Sequence, residues 1–348
     1  MPPEKSTEAS TEALVLATCN VLNLANPGRV FYANQDPYTA SEFERKIAWL
    51  GDRFKTLNAD VIAVQEVWDE AALKAAVHRS HLHYSTVVAP GSENSPAASN
   101  APGGTGTQGG AQGTPRVGFV TRLKFLGQTC FTDFPIHAQV DIPEVGPYRK
   151  FDRPPLLLRL ETRRGRVLNI LTTHLKSKRP KFLQNASGDF LEDRDDPRVL
   201  SRAQLRSLVM RGAEAVALRD VVIQLLKGSK EPLVVMGDFN DGPHSVTTQL
   251  VAASSEVAYD RASRDFALFN AYELQTEASL KKDLAYSHVF QGYPEVLDQI
   301  LVSEEFVPGA KFAIGDVRRV DYFNDHLHEG RDRCKSDHGF GKALIRFF

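Results

Sequence analysis

Neither an excess of one charge, nor a long apolar run, nor a cysteine pattern marks this chain, and each lack removes a class of protein. Lysine and arginine total 42 against 43 aspartate and glutamate, a formal net charge of −1. No overall field therefore draws the protein to polyanions, and any nucleic-acid footprint has to be local. The three cysteines, Cys19, Cys130 and Cys334, lie far apart and show no Cys-x-x-Cys spacing. That argues against a disulfide framework and a zinc ribbon, and leaves free structural thiols as the expectation. No apolar run approaches the roughly 20 residues that span a bilayer. Residues 1–13 are polar and carry no signal-like apolar stretch. The chain as written reads as a soluble, cytoplasmic protein without membrane insertion and is expected to be a monomer. A secreted form whose signal had been removed would read the same way.

What is present is ordinary globular material: 42% hydrophobic and 24% charged residues, enough for a sizeable core. At 348 residues the chain is long for one domain, but large two-layer β folds reach this size as one unit. Residues 14–22, 60–67, 117–123, 155–161, 166–174, 232–237, 296–303 and 340–347 read as strands, being short, rich in Val, Ile and Leu, and bounded by turn residues. Phe43, Ile47, Leu50, Phe54 and Leu57 recur at helical spacing, with Ser41 and Glu44 as the capping box. A second helix is predicted from Ser201, with Gln204 completing the same cap, to about Leu226 ahead of Gly228. Residues 90–115 are almost all Gly, Ala, Ser, Thr, Asn and Pro with Glu93 the one charge, a composition that cannot offset ordering entropy. Because candidate site residues fall on both sides of it, this stretch reads as a flexible inserted loop rather than a linker. The organisation expected is a disordered tail, 1–13, and a single catalytic domain, 14–348.

Four apolar runs end in a polar residue able to meet a metal or a phosphate. Asn20 follows 14–19, Glu66 follows 61–65, His174 follows 168–173, and Asp238 with Asn240 follows 233–237. Asp298 lies inside 296–303, and Asp337 and His338 stand just before the final strand. A hard divalent cation takes carboxylate and amide oxygens, often only one or two of them from protein. Glu66 and Asn20 suit that role, with Asp337 a third or water-mediated ligand. Mg²⁺ or Mn²⁺ is expected, and Ca²⁺ accepts the same ligands. Asp238 and Asn240, alternate residues beyond a strand, can hold an attacking water and a phosphoryl oxygen together. His174 and His338 can donate to non-bridging oxygens, and Asp298 is the candidate carboxylate that fixes the His338 tautomer.

Taken in order, Thr18-Cys19-Asn20, Val64-Gln65-Glu66-Val67, Thr173-His174-Leu175, Gly237-Asp238-Phe239-Asn240, Leu297-Asp298-Gln299-Ile300-Leu301 and Ser336-Asp337-His338 resemble the motifs of the endonuclease/exonuclease/phosphatase superfamily over nearly the whole chain. The resemblance implies a four-layer α/β sandwich, two packed mixed β-sheets flanked by helices, with the site at one end. It implies a metal-dependent phosphodiesterase with Asn20 and Glu66 at the metal and Asp337 beside it. His174 and Asn240 would contact phosphate, Asp238 would orient or deprotonate water, and His338 would pair with Asp298. The run from Thr173 to Lys178, followed by a long helix, looks most like bacterial nuclease-type members. The chain departs from the pattern at Leu22, where some members carry a second metal-binding Asp, and at Phe340, where relatives commonly have proline. The active-site tyrosine of apurinic endonucleases has no evident counterpart.

Residues 159–182 carry eight basic side chains against one acid, Glu161. Lys176 and Lys178, just past His174, are the expected contacts to a phosphate backbone, and nucleic acid, DNA or RNA, is the expected substrate. The acidic stretch 189–196 reads as a solvated loop or a structural calcium loop, without EF-hand spacing. Arg202, Arg206 and Arg211 are expected mostly at the surface, one of them within reach of phosphate. A sphingomyelinase-like or small-molecule phosphodiesterase is the alternative, disfavoured because no exposed apolar hairpin is recognisable. A non-catalytic binding module on the same scaffold is a third reading.

Overall fold

The computed structural model describes residues 11–32, 35–91, 114–185, 187–255, 257, 261–277, 279, 281 and 285–348. Most of the loop expected over 90–115 and most of the expected N-terminal tail therefore lie outside the described residues. In chain order the first half holds β1 (Glu12–Leu24), α1 (Ala40–Leu57), β2 (Val61–Val67), α2 (Glu70–Arg79), β3 (Thr86–Val88), β4 (Arg116–Thr121), β5 (Lys124–Cys130), β6 (Val140–Ile142), β7 (Gly146–Tyr148), β8 (Leu156–Glu161) and β9 (Val167–His174). There follow α3 (Pro197–Leu226), β10 (Leu233–Asp238), α4 (Val246–Ala252), β11 (Phe269–Asn270), α5 (Ala271–Leu274), β12 (His288–Phe290), β13 (Tyr293–Glu295), β14 (Asp298–Val302), β15 (Gly315–Phe323) and β16 (Phe340–Phe347).

Among the described residues, one six-stranded sheet runs β15-β16-β1-β2-β4-β3 and the other β11-β14-β10-β9-β8-β5. Each contains one parallel pair, β1 with β2 and β9 with β10, among antiparallel neighbours, so both sheets are mixed. Side-chain alternation along each strand then sorts the layers. Leu14 and Leu16 of β1 face inward with Ile170 of β9 and Val234 and Met236 of β10, forming the layer between the sheets. The intervening residues face out, Ala17, Ile62 and Val64 against Ile47, Leu50 and Phe54 of α1. On the other side Leu171, Leu233 and Val235 meet Met210, Leu218 and Val222 of α3. The result is the four-layer α/β sandwich that the resemblance implies.

Three boundaries differ from the sequence reading. β1 begins at Glu12, which pairs with Phe347, so the strand reaches into the stretch expected as tail. The cap of α1 is Thr39, whose hydroxyl accepts the Glu42 N–H while Glu42 closes the box, two residues ahead of the expected Ser41 and Glu44. The third helix starts at Asp196, which caps it with Pro197 in the first turn, because proline there forgoes only an N–H that has no helical partner. Ser201 lies inside that helix and donates to the Pro197 carbonyl. The charged strand β15 carried too little apolar alternation to be read from sequence.

Gly237 shows how tightly β9 and β10 approach. Its φ is +150° and a Cβ there would sit 2.0 Å from the Thr173 carbonyl oxygen, backbone that cannot swing aside. Gly237→Ala is expected to cost about 3 kcal/mol or more, read as a lowered urea midpoint.

Candidate active site

The parity that buries Leu14 and Leu16 also turns Asn20 inward, at the point where the register of β1 with β2 shifts, and the parity of Val234 and Met236 does the same for Asp238. Strand register completes a row, since Asp238 pairs with His174 on one side and with Asp298 on the other. Three polar side chains thus stand abreast at the same end of the inter-sheet layer. From the other sheet come Asn20, Glu66 on the neighbouring β2, and His338 on the approach to β16. Ser336 fixes that approach by donating to the Asn20 carbonyl at 2.6 Å and accepting the His338 N–H at 3.0 Å. Gln65, donating to Thr172 at 3.0 Å, ties the two sheets one layer beneath.

The Asp238 carboxylate is the centre of the cluster. One oxygen accepts the Asn240 N–H at 2.8 Å. The other accepts from the Asn20 amide at 3.1 Å and lies 3.3 Å from His174 Nε2 and 3.9 Å from His338 Nε2. Burial and the Asp298 charge push its pKa up to about 6, against His338, the Asn240 N–H and Arg153. Asp298 Oδ2 lies 2.7 Å from His338 Nδ1. Burial alone would lower the His338 pKa, but Asp298, Asp238 and Asp337 hold it well above the usual imidazole value. His174 goes the other way, pushed well down by burial and by Arg153. The two histidines within reach of one carboxylate are thus shifted in opposite directions, His338 toward the charged form and His174 toward the neutral one.

Glu66 sits in the left-handed region at φ +64°, which aims its side chain along the cluster. It accepts from the Asn20 amide at 3.3 Å and from the Asn23 N–H at 3.1 Å. Burial and the nearby Asp337 carboxylate raise its pKa. Two carboxylates pressing on each other, one of them buried, are a donor set that a hard cation relieves, so Glu66 and Asp337 fit a divalent ion. Asn20 turns its nitrogen to Glu66 and Asp238, and its oxygen accepts the Leu22 N–H at 3.1 Å. Asp238, Asp298 and His338 also present ligand atoms within 4.8 Å of one another, close enough to hold an ion. Asp298 Oδ2 is committed to His338, while its Oδ1 is buried without a hydrogen-bond partner.

Asn240, at φ +52°, donates to the Leu175 carbonyl at 2.9 Å. Lys178 is not free for a phosphate: it is paired with Glu295 at 2.8 Å and lies 3.7 Å from Asp241. Lys176 is half-buried, and burial lowers its pKa to about 8. Within the basic segment Arg159 pairs with Glu231, Arg163 with Asp60 and Arg166 with the Phe348 carbonyl, while the charge of Arg179 acts on Tyr32. Arg206 and Arg211 are buried rather than at the surface. Arg206 pairs with Glu192, while Asp189, Asp193 and Asp195 of the same acidic stretch are exposed; Arg211 pairs with Asp241 at 3.3 Å.

Sequence reasoning missed Arg153. It lies between β7 and the Pro154-Pro155 pair ahead of β8, before an apolar run rather than at the far end of one. Its guanidinium donates to the carbonyls of His174 and Leu175 at 3.1 and 2.8 Å, and its charge acts on Glu66, His174 and Asp238 together. Tyr32 was also missed; burial and Glu66 push its hydroxyl up to about 12. His288, on β12, has its ring 5.0 Å from that of His338.

The sequence profile of the endonuclease/exonuclease/phosphatase family matches residues 17–338. The chain belongs to that family. Solved structures share its fold at low identity. The human Nocturnin catalytic domain with bound sulfate is 17% identical at a TM-score of 0.58, with 97% of each chain covered. A family protein from Bacteroides thetaiotaomicron is 13% identical at 0.54, covering 97% of this chain and 96% of that one. The mannosyl-6-phosphatase of the same organism is 14% identical at 0.53, covering 95% and 99%. A comparison with curated proteins gives no match. Membership of the family makes the chain a phosphoesterase. No helix among the described residues is long and apolar enough to cross a membrane.

Proposed function

We propose that this protein is a divalent-metal phosphodiesterase that hydrolyses nucleic acid. The observation that carries the reading is the row His174, Asp238 and Asp298 with His338 set against it at hydrogen-bond distances. A divalent ion held by Glu66 and Asp337, with Asn20 beside them, would neutralise phosphate charge and stabilise the leaving oxygen. Asp238, buried and kept near neutrality in its proton affinity, orients the attacking water and takes its proton. His338, charged and steadied by Asp298, donates to a non-bridging oxygen as negative charge grows there. Asn20 and the Asn240 N–H hold the Asp238 carboxylate in place. Arg153 supplies fixed positive charge.

The neutralisation of Lys178 and the dispersal of the basic segment favour a second reading, a small phosphate ester. Plasmid, single-stranded DNA, RNA, sugar phosphate and sphingomyelin, each assayed with Mg²⁺, Mn²⁺ or EDTA, separate the two. The expected outcome is cleavage of nucleic acid that falls at least 100-fold with chelator and returns with the metal. Cleavage of sugar phosphate alone would establish the second reading, and activity indifferent to chelator would remove the metal from both.

A further inference from the structure

The hairpin β12–β13 contradicts the expectation that no exposed apolar hairpin is present. Phe290 is 57% exposed and Tyr293 75%. Register places His288 opposite Glu295 and Phe290 opposite Tyr293. Directly paired residues, and residues two apart, lie on one face of a hairpin, so all four share a face. The inner pair shows where that face looks: the His288 ring is 5.0 Å from His338, and Glu295 binds Lys178 at 2.8 Å. Phe290 and Tyr293 are therefore turned toward the active-site end, about 7 Å farther along the strand than His288. Gln291 and Gly292, at φ +50° and +87°, close the turn tightly, so the platform is short and its register set.

We propose that Phe290 and Tyr293 form a stacking platform for a nucleobase of the substrate next to the scissile phosphate. This rests on the phosphodiesterase reading above and narrows its substrate class. A phosphate against His338 leaves the attached nucleoside to run along the face that carries the two rings, and aromatic rings bind any base through its π-face. The two rings flank the Gln291-Gly292 turn on the face whose inner pair, His288 and Glu295, meets His338 and Lys178. A ring pair continuous with the site suits a planar group of the substrate, and contact with a lipid bilayer is the competing outcome of the test.

The test compares wild type with Phe290→Ala, Tyr293→Ala and the double variant, with Tyr293→Phe as the conservative control. Circular dichroism and thermal midpoints establish folding. Binding of a fluorescent oligonucleotide is measured in EDTA, beside the same oligonucleotide with abasic residues and beside sphingomyelin vesicles. Each alanine is expected to weaken binding of the base-bearing strand about 10-fold, to leave the abasic strand within twofold, and to be rescued in Tyr293→Phe. In metal the loss should appear in KM, with kcat held. Equal weakening on both strands, or no weakening, overturns the platform, as does a loss confined to vesicles, which would make the hairpin a membrane contact. Base-dependent binding by a wild type that cleaves no phosphodiester would instead sink the catalytic reading and leave the platform standing.

Discussion

Asp298→Asn is expected to lower kcat about 1,000-fold while KM moves less than threefold. The side chain keeps its size, so the first residue of β14 stays packed, but the charge 2.7 Å from His338 Nδ1 is gone. An amide there can no longer balance an imidazolium, and it can present an N–H that forces the ring into the wrong tautomer. His338 holds its proton because Asp298 and Asp238 outweigh burial; removing the larger of these two fields lets burial win. Binding survives because the ion and the phosphate are held chiefly by other groups. The double variant with His338→Ala should be no slower than His338→Ala alone, since Asp298 acts through the ring. A KM effect without a kcat effect, or additive losses, would make Asp298 a structural residue only.

Asp238→Asn is expected to abolish turnover to the same extent by a different route, about 1,000-fold or more in kcat. Asparagine can still accept the Asn240 N–H with its oxygen, yet it offers no base to the attacking water. Stability should respond in the opposite direction. Burying this carboxylate beside Asp298 is unfavourable, which is what its raised pKa records. The metal-free variant should therefore melt no lower than metal-free wild type, a trade between activity and stability. A variant that melts well below wild type would show the carboxylate to be a structural hydrogen-bond centre, and a variant with near-normal kcat would move the general base elsewhere.

How much of this was legible in the sequence follows from what each residue answers to. Strands of the two sheet centres are apolar on both faces because each lies between a helix layer and the other sheet, so 60–67, 166–174 and 232–237 stood out as runs. Edge strands do not: β5 is largely exposed along its length, and β15 alternates arginine and aspartate with valine. Asn20, Glu66, His174 and Asp238 were found because they end such runs; parity continues the inward face at Asn20, His174 and Asp238, whereas Glu66 is turned out of phase by its positive φ. Arg153 and the hairpin aromatics were not, since nothing local distinguishes them. Arg153 is defined by two carbonyls more than twenty residues away in sequence, and Phe290 and Tyr293 by cross-strand register. The pairing of Lys178 with Glu295 was not legible either, because only the fold brings the two together.

The cluster is built half from one sheet and half from the other: Asn20, Glu66 and His338 across from His174, Asp238 and Asp298. Its geometry therefore behaves as a gauge of whether the sandwich is shut. Parting the sheets leaves three of the six groups on each side, so the site exists only while the sandwich is closed. By the same logic, its loss on heating should coincide with the separation of the sheets and not precede it.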